Sequence, residues 1–126
     1  MTPEKKFENK VKQYLESVGA WYVKTWSNGI QKEGIPDILA CVNGYFVGIE
    51  VKATTGHPSD LQLRQIRLIR QAGGVGFVLY PEQFNDFVNV IEWLMKDDDP
   101  YSNDTAQHRF DAKLKERERR ILYGDT

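Results

Sequence analysis

Cysteine is almost missing from this chain. Cys41 stands alone among 126 residues, which excludes an intrachain disulfide as a source of stability. Histidine is nearly as scarce, and Cys41, His57 and His108 together fall short of the four nitrogen and sulfur ligands of a structural zinc site. Any metal ion is therefore expected on oxygen. No uninterrupted apolar run approaches the roughly 20 residues that span a bilayer. The N-terminal MTPEKKFENK is charged where a signal segment would be apolar. Both point away from membranes and to a cytoplasmic protein. Internal repeats are absent, and so is a strong net charge: 17 Lys and Arg stand against 18 Asp and Glu.

That balance is uneven along the chain. Residues 1–72 hold ten Lys and Arg against seven Asp and Glu, whereas residues 73–126 hold seven against eleven. The first part is thus mildly basic, which suits either a solvated surface or one that faces phosphate. At 40% hydrophobic and 28% charged, the chain is long enough for one domain with its own core.

Thr2 and Pro3 make an N-cap and first helical residue, and Phe7, Val11, Tyr14, Leu15 and Val18 follow at helical spacing up to Gly19. WYVKTW (21–26) has strand composition, and SNGIQKEGIP after it is a loop. ILACV and YFVGIEV flank Asn43-Gly44, a strong signal for a two-residue hairpin turn. Ser59 caps a second helix over LQLRQIRLIRQA, whose Arg64, Arg67 and Arg70 can fan outward, and Gly73-Gly74 ends it before the strand VGFVLY. EQFNDFVNVIEWLMK reads as a third helix, residues 97–104 as a hinge, and 105–126 as a charged last helix with a narrow apolar stripe. The expected organisation is one domain over 1–96, with an α-β-β-β-α-β core at 8–80 and a C-terminal helical extension.

The hairpin carries charges where a buried one should not. With Asn43 and Gly44 as turn residues, Val42 faces Tyr45, Cys41 faces Phe46 and, by extension, Asp37 faces Glu50. Two carboxylates side by side destabilise a sheet unless something neutralises them, and a divalent cation would do so. Strand alternation puts Lys52 on the face of Glu50, with Val47, Ile49 and Val51 on the other. Both strands are apolar on both faces, as central strands are. Structural ion pairs also gather at sheet ends, so charge convergence alone leaves the purpose open.

Gly34-Ile35-Pro36-Asp37, followed thirteen positions later by Glu50-Val51-Lys52, resembles the PD-(D/E)XK nuclease motif. The resemblance implies an α/β, restriction-endonuclease-like fold: an αβββαβ core with a mixed central sheet flanked by helices. It also implies Mg²⁺ or Mn²⁺ held by Asp37, Glu50 and the Val51 carbonyl, with Lys52 activating or orienting the attacking water. Glu8, ahead of Val11, Leu15 and Gly19, is similar to the first-helix acid of archaeal Holliday-junction resolvases. It would bind metal directly or through water. Gly56 with Ser59 and Gln62 is similar to the G-x-x-S-x-x-Q segment of the VRR-NUC branch, which places Gln62 near the active centre. Gln62 shares a helix face with Ile66 and Ile69, and the other reading of it is a satisfied core amide.

The function implied is a metal-dependent DNA endonuclease, selective for Holliday junctions, flaps or other branched DNA. The alternative is a catalytically idle nuclease fold used for DNA binding or assembly. Lys24, Ser27, Lys32 and Arg64 lie on neighbouring elements and are candidate contacts to the phosphates of branched or duplex DNA, although any solvated side chain of these kinds fits that description. Cutting two strands at related positions calls for two centres, hence a homodimer, for which the third helix, the last helix and Trp93 offer candidate surfaces.

Overall fold

The computed structural model describes residues 1–26 and 33–97. Ser27 and Lys32, the hinge beyond Asp97 and the charged helix at 105–126 lie outside them. The order is α1 (Pro3–Ser17), β1 (Trp21–Lys24), β2 (Ile38–Val42), β3 (Tyr45–Val51), α2 (Asp60–Gln71), β4 (Val75–Leu79), a 3₁₀ turn (Pro81–Gln83) and α3 (Phe84–Lys96).

Local chemistry sets the boundaries. The Thr2 hydroxyl accepts from Lys5 N–H at 3.1 Å with Pro3 opening α1, as the sequence predicts. The expected strand 21–26 stops at Lys24, although Thr25 N–H still donates to the Asp37 carbonyl at 2.8 Å. The expected third helix starts late, because Pro81–Gln83 forms a tighter turn before α3.

The four strands lie in the order β1-β2-β3-β4, antiparallel except for β3 with β4, which are parallel and joined through α2. Asn43 and Gly44 both take positive φ, as the tight turn requires. Register follows: Val42 pairs with Tyr45, Cys41 with Phe46 and Ile38 with Ile49. One face is closed by Phe7, Val11 and Leu15 of α1 and by Phe87, Val90, Ile91 and Leu94 of α3, all packed on Ile38, Val47, Ile49, Val51, Phe77 and Leu79. Truncating a residue such as Phe77 there costs about 3–5 kcal/mol. Asn43 Nδ2 donates to the Leu94 carbonyl at 3.0 Å, and Tyr45 hydroxyl donates to Asp97, tying the end of α3 to the hairpin.

The other face is covered only over β3 and β4, by α2. There Gly48 gives Ile69 room, since a Cβ on Gly48 would lie 2.7 Å from Ile69 Cδ1. Over β1 and β2 this face is open, with Trp21 66% and Val23 38% exposed and Cys41 exposed as well, and the opening reaches Phe46 at the head of β3, 48% exposed. The hairpin is thus not buried on both faces, contrary to its composition, because nothing among the described residues covers that side. α3 in turn spends its apolar face on its own sheet, and Trp93 packs against the core, so neither is the free self-complementary surface the sequence suggested. Arg64 and Arg67 are exposed, but Arg70 folds back and donates from Nε to the Gly76 carbonyl at 2.8 Å. No helix among the described residues is long and apolar enough to cross a membrane.

Candidate active site

Asp37 reaches its place because the segment before it is pinned from three sides. Gly34, at φ +81°, lies so close to the first turn of α2 that a Cβ would sit 2.4 Å from the Leu61 carbonyl oxygen. Pro36 is buried above Gly48, and its carbonyl accepts from the Thr25 hydroxyl at 2.7 Å. Thr25 N–H holds the Asp37 carbonyl from the β1 side. Asp37 thus arrives one residue before β2, on the sheet face of Glu50, and its Oδ2 accepts from the Val51 N–H at 3.0 Å.

Glu50 is 1% exposed, in the last turn of pleat of β3. Its Oε1 accepts from Gln62 Nε2 at 2.8 Å and lies 3.5 Å from Lys52 Nζ. Its Oε2 is buried with no hydrogen-bond partner. Burial, joined by the negative charge of Asp37, pushes the Glu50 carboxyl up to about 8, and Lys52 offsets this only in part. An acid held so far from its ordinary range in a cluster of charge is a candidate for a functional centre.

Lys52 and Gln62 are fixed by backbone chemistry. Lys52 N–H donates to the Leu79 carbonyl at 3.0 Å, so the lysine is still in the β3–β4 ladder, and its stem passes beside Gly56. Gln62 completes a capping box: Ser59 N–H donates to Gln62 Oε1 at 2.8 Å while Gln62 N–H donates to the Ser59 hydroxyl at 3.2 Å. Its remaining amide donor is the one on Glu50. One side chain therefore joins the start of α2 to the buried acid.

Glu8 is buried, and no three acidic, His or Cys side chains among the described residues form a metal-holding group. It sits on the α1 side and is linked to the centre through Lys24, whose Nζ is 2.6 Å from Glu8 Oε1 and 3.4 Å from Asp37 Oδ1. Burial works to raise the Glu8 carboxyl, but hydrogen bonds and charge from Lys24 and Lys5 outweigh it and hold the carboxyl below its usual value. Lys24 responds in kind: burial works to lower it, and Glu8 and Asp37 outweigh that and raise it.

Four of the residues read from the sequence, Asp37, Glu50, Lys52 and Gln62, therefore meet. The buried Oε2 of Glu50 beside Asp37 suits a hard cation, because two carboxylates and an unpartnered acceptor are the donor set such an ion takes. Lys24 is engaged by two acids rather than extended to solvent, and Arg64 is exposed on α2. Contacts that escaped the sequence reading are those of Asp37 with the Val51 N–H, of Lys24 with Glu8 and Asp37, and of Lys5 and Lys12 with Glu8. Only the last two had a signal, in their i, i+3 and i, i+4 spacing to Glu8.

Compared with known proteins, residues 4–107 match the model of the archaeal Holliday junction resolvase (hjc) family. The chain belongs to the archaeal Holliday junction resolvase family. Membership makes it a structure-specific DNA nuclease of the restriction-endonuclease-like superfamily, and the mixed sheet flanked by helices is the α/β fold expected for it. Among solved structures, a Holliday junction resolvase, Hjc, from the archaeal hyperthermophile Archaeoglobus fulgidus is similar at 23% identity and a TM-score of 0.46, over 60% of this chain and 67% of that one. No curated protein matches the chain.

Proposed function

We propose that this resolvase-family protein is a Mg²⁺- or Mn²⁺-dependent endonuclease that cuts four-way DNA junctions, in preference to linear duplex, as a homodimer. The observation that carries the reading is Glu50: a fully buried carboxylate with one oxygen unpartnered, beside a second acid, a lysine and a glutamine.

Asp37, Glu50 and the Val51 carbonyl would hold the ion. When bound, it supplies a lowered pKa for the attacking water and neutralises charge gathering on the phosphate. Asp37 is kept in position by the Val51 N–H, and Glu50 by Gln62. Lys52, with its ammonium 3.5 Å from Glu50 and partly exposed, orients the water and stabilises the extra negative charge of the transition state. The link from Gln62 to Glu50 is also what supports kinship with the VRR-NUC branch.

The dimer reading rests on the open sheet face. Trp21 pairs with Cys41 and Cys41 with Phe46, so the three form a row across β1, β2 and β3. Phe46 then borders a hollow with Leu68 and Ile69 of α2 and Ala72 at its C-cap. A row of exposed apolar groups of this kind suits burial against a partner, and a second copy across a twofold axis would bring the second centre that paired nicks require.

Labelled linear, nicked, flapped and four-way DNA, incubated with Mg²⁺, Mn²⁺ or EDTA, tests the assignment. Paired nicks in the four-way substrate with either metal are expected. Cutting that persists in EDTA, or no cutting of any branched substrate, would refute it.

A further inference from the structure

Glu8 is surrounded by more positive charge than it can neutralise. Its Oε2 accepts from Lys5 Nζ at 2.7 Å and lies 3.5 Å from Lys12 Nζ, while its Oε1 accepts from Lys24 Nζ at 2.6 Å. Lys5, Glu8 and Lys12 follow one another at i, i+3 and i+7 on the face of α1 that turns toward β1. The carboxylate itself is 6% exposed, but the lysines keep 44%, 22% and 22% of their side chains in solvent.

A single salt bridge would need one of these ammoniums. Three on one buried carboxylate leave a local surplus of positive charge, since among the described residues the other acid paired with them is Asp37, at 3.4 Å from Lys24. Like charges this close repel unless an anion joins them. Each ammonium has three donors, and Glu8 takes one from Lys5 and one from Lys24, so donors remain for a further acceptor. Through Lys24 the cluster is joined directly to Asp37 and so to the site of phosphodiester cleavage.

From this geometry we propose that Lys5, Lys12 and Lys24, gathered by Glu8, form a binding site for a DNA backbone phosphate flanking the one that is cut. The inference rests on DNA being the substrate, as proposed above. Glu8 is then a positioning residue: it holds three flexible cations ready, so that less side-chain freedom is lost when the phosphate arrives. A phosphate held here fixes where the strand lies without reading its sequence.

Equilibrium binding of a labelled four-way junction in EDTA, measured against salt concentration, tests the site. Lys5→Met with Lys12→Met should weaken binding of the junction and of linear duplex alike, and should flatten the slope of log K against log salt by about 0.9, the contribution of the one phosphate the cluster neutralises. Lys6→Met with Lys10→Met removes the same charge from α1 outside the cluster and should leave that slope nearly native. Glu8→Gln gives a test of sign: it makes the protein more positive, yet it should weaken binding because the lysines lose their anchor, while metal-induced stabilisation through Asp37 and Glu50 persists. A native slope in the Lys5/Lys12 variant, an equal loss in the Lys6/Lys10 variant, or tighter binding by Glu8→Gln would each overturn the phosphate site. Absence of any salt-dependent binding by the native protein would overturn the DNA reading with it.

Discussion

Gln62 bonds in two directions: its Oε1 accepts from the Ser59 N–H that opens α2, and its Nε2 donates to Glu50 Oε1 at 2.8 Å. The acid of the site is thereby oriented by the start of a helix. Replacing Gln62 by Ala should remove both contacts and lower stability by about 1 kcal/mol through the lost cap. Gln62→Glu should keep the cap acceptor but set a carboxylate against Glu50. Its melting temperature should recover once Mn²⁺ is added, with cleavage well below native. Native cleavage by the Glu variant would show that the donor to Glu50 is idle.

Stability without metal should depend on pH through Glu50. Its folded value is raised to about 8 from 4.5, so between those values the native state binds a proton that the unfolded state has lost. Stabilisation from the protonated group is complete below about pH 4.5 and is lost as pH rises through about 8. Glu8 works on the acid side: lowered in the fold, it stabilises above its unfolded value and loses that contribution as pH falls through its folded one. Thermal melts in EDTA should therefore decline from about pH 5.5 to pH 8. Glu50→Gln should flatten the decline, and an unchanged slope in that variant would assign it elsewhere.

Sequence made the hairpin legible because Asn43-Gly44 fixes register by itself, and register then fixes which charges share a face. Asp37, Glu50 and Lys52 followed from that single turn. The inward glutamine was legible too, since Gln62 shares a helix face with Ile66 and Ile69, whereas its capping box with Ser59 emerged only in the structure. Glu8 was harder, because helical spacing places it beside the apolar stripe without saying which cations reach it across the gap to β1. Lys24 had to be seen in three dimensions to be moved from a free surface cation to a link between two acids. The open face was hidden for another reason: Leu39, Cys41 and Phe46 look like core residues, and composition cannot tell an apolar side chain covered by its own chain from one awaiting a partner.

Lys52→Met should separate binding from chemistry. The ammonium is no ligand for a cation, so metal-induced stabilisation and junction binding should stay close to native. Cleavage should drop by about 10²–10³, the usual loss when one donor to developing charge is removed. Single-turnover assays with saturating protein read the chemical step directly. Cleavage at the native rate would remove Lys52 from the mechanism while leaving the metal pair in place.

Asp37→Asn should abolish the melting rise produced by Mn²⁺, because one of the two charged ligands is gone, whereas in EDTA above about pH 8, where Glu50 is ionised, the variant should melt no lower than the native protein, as the repulsion between the two acids is relieved. The Val51 N–H can still donate to the side-chain oxygen of Asn. A full metal response in this variant would place the cation elsewhere.

Phe46 and Leu68 test the proposed assembly. Both are exposed in the protomer, at 48% and 41%, so replacing them should cost the isolated fold little. Phe46→Glu with Leu68→Glu should nonetheless break a dimer that buries the row from Trp21 to the hollow beside α2, because two copies would each set two carboxylates into an apolar contact. Light scattering at micromolar concentration should then fall to the 14.6 kDa of one chain. Trp93, already packed on its own core, should have no such effect when truncated, beyond what it does to stability. The functional consequence follows from symmetry: one centre nicks one strand, so the monomeric variant should release single-nicked junctions while the native protein makes paired cuts. A native protein that scatters as 14.6 kDa throughout, or a double variant that still dimerises, would move the interface off this face.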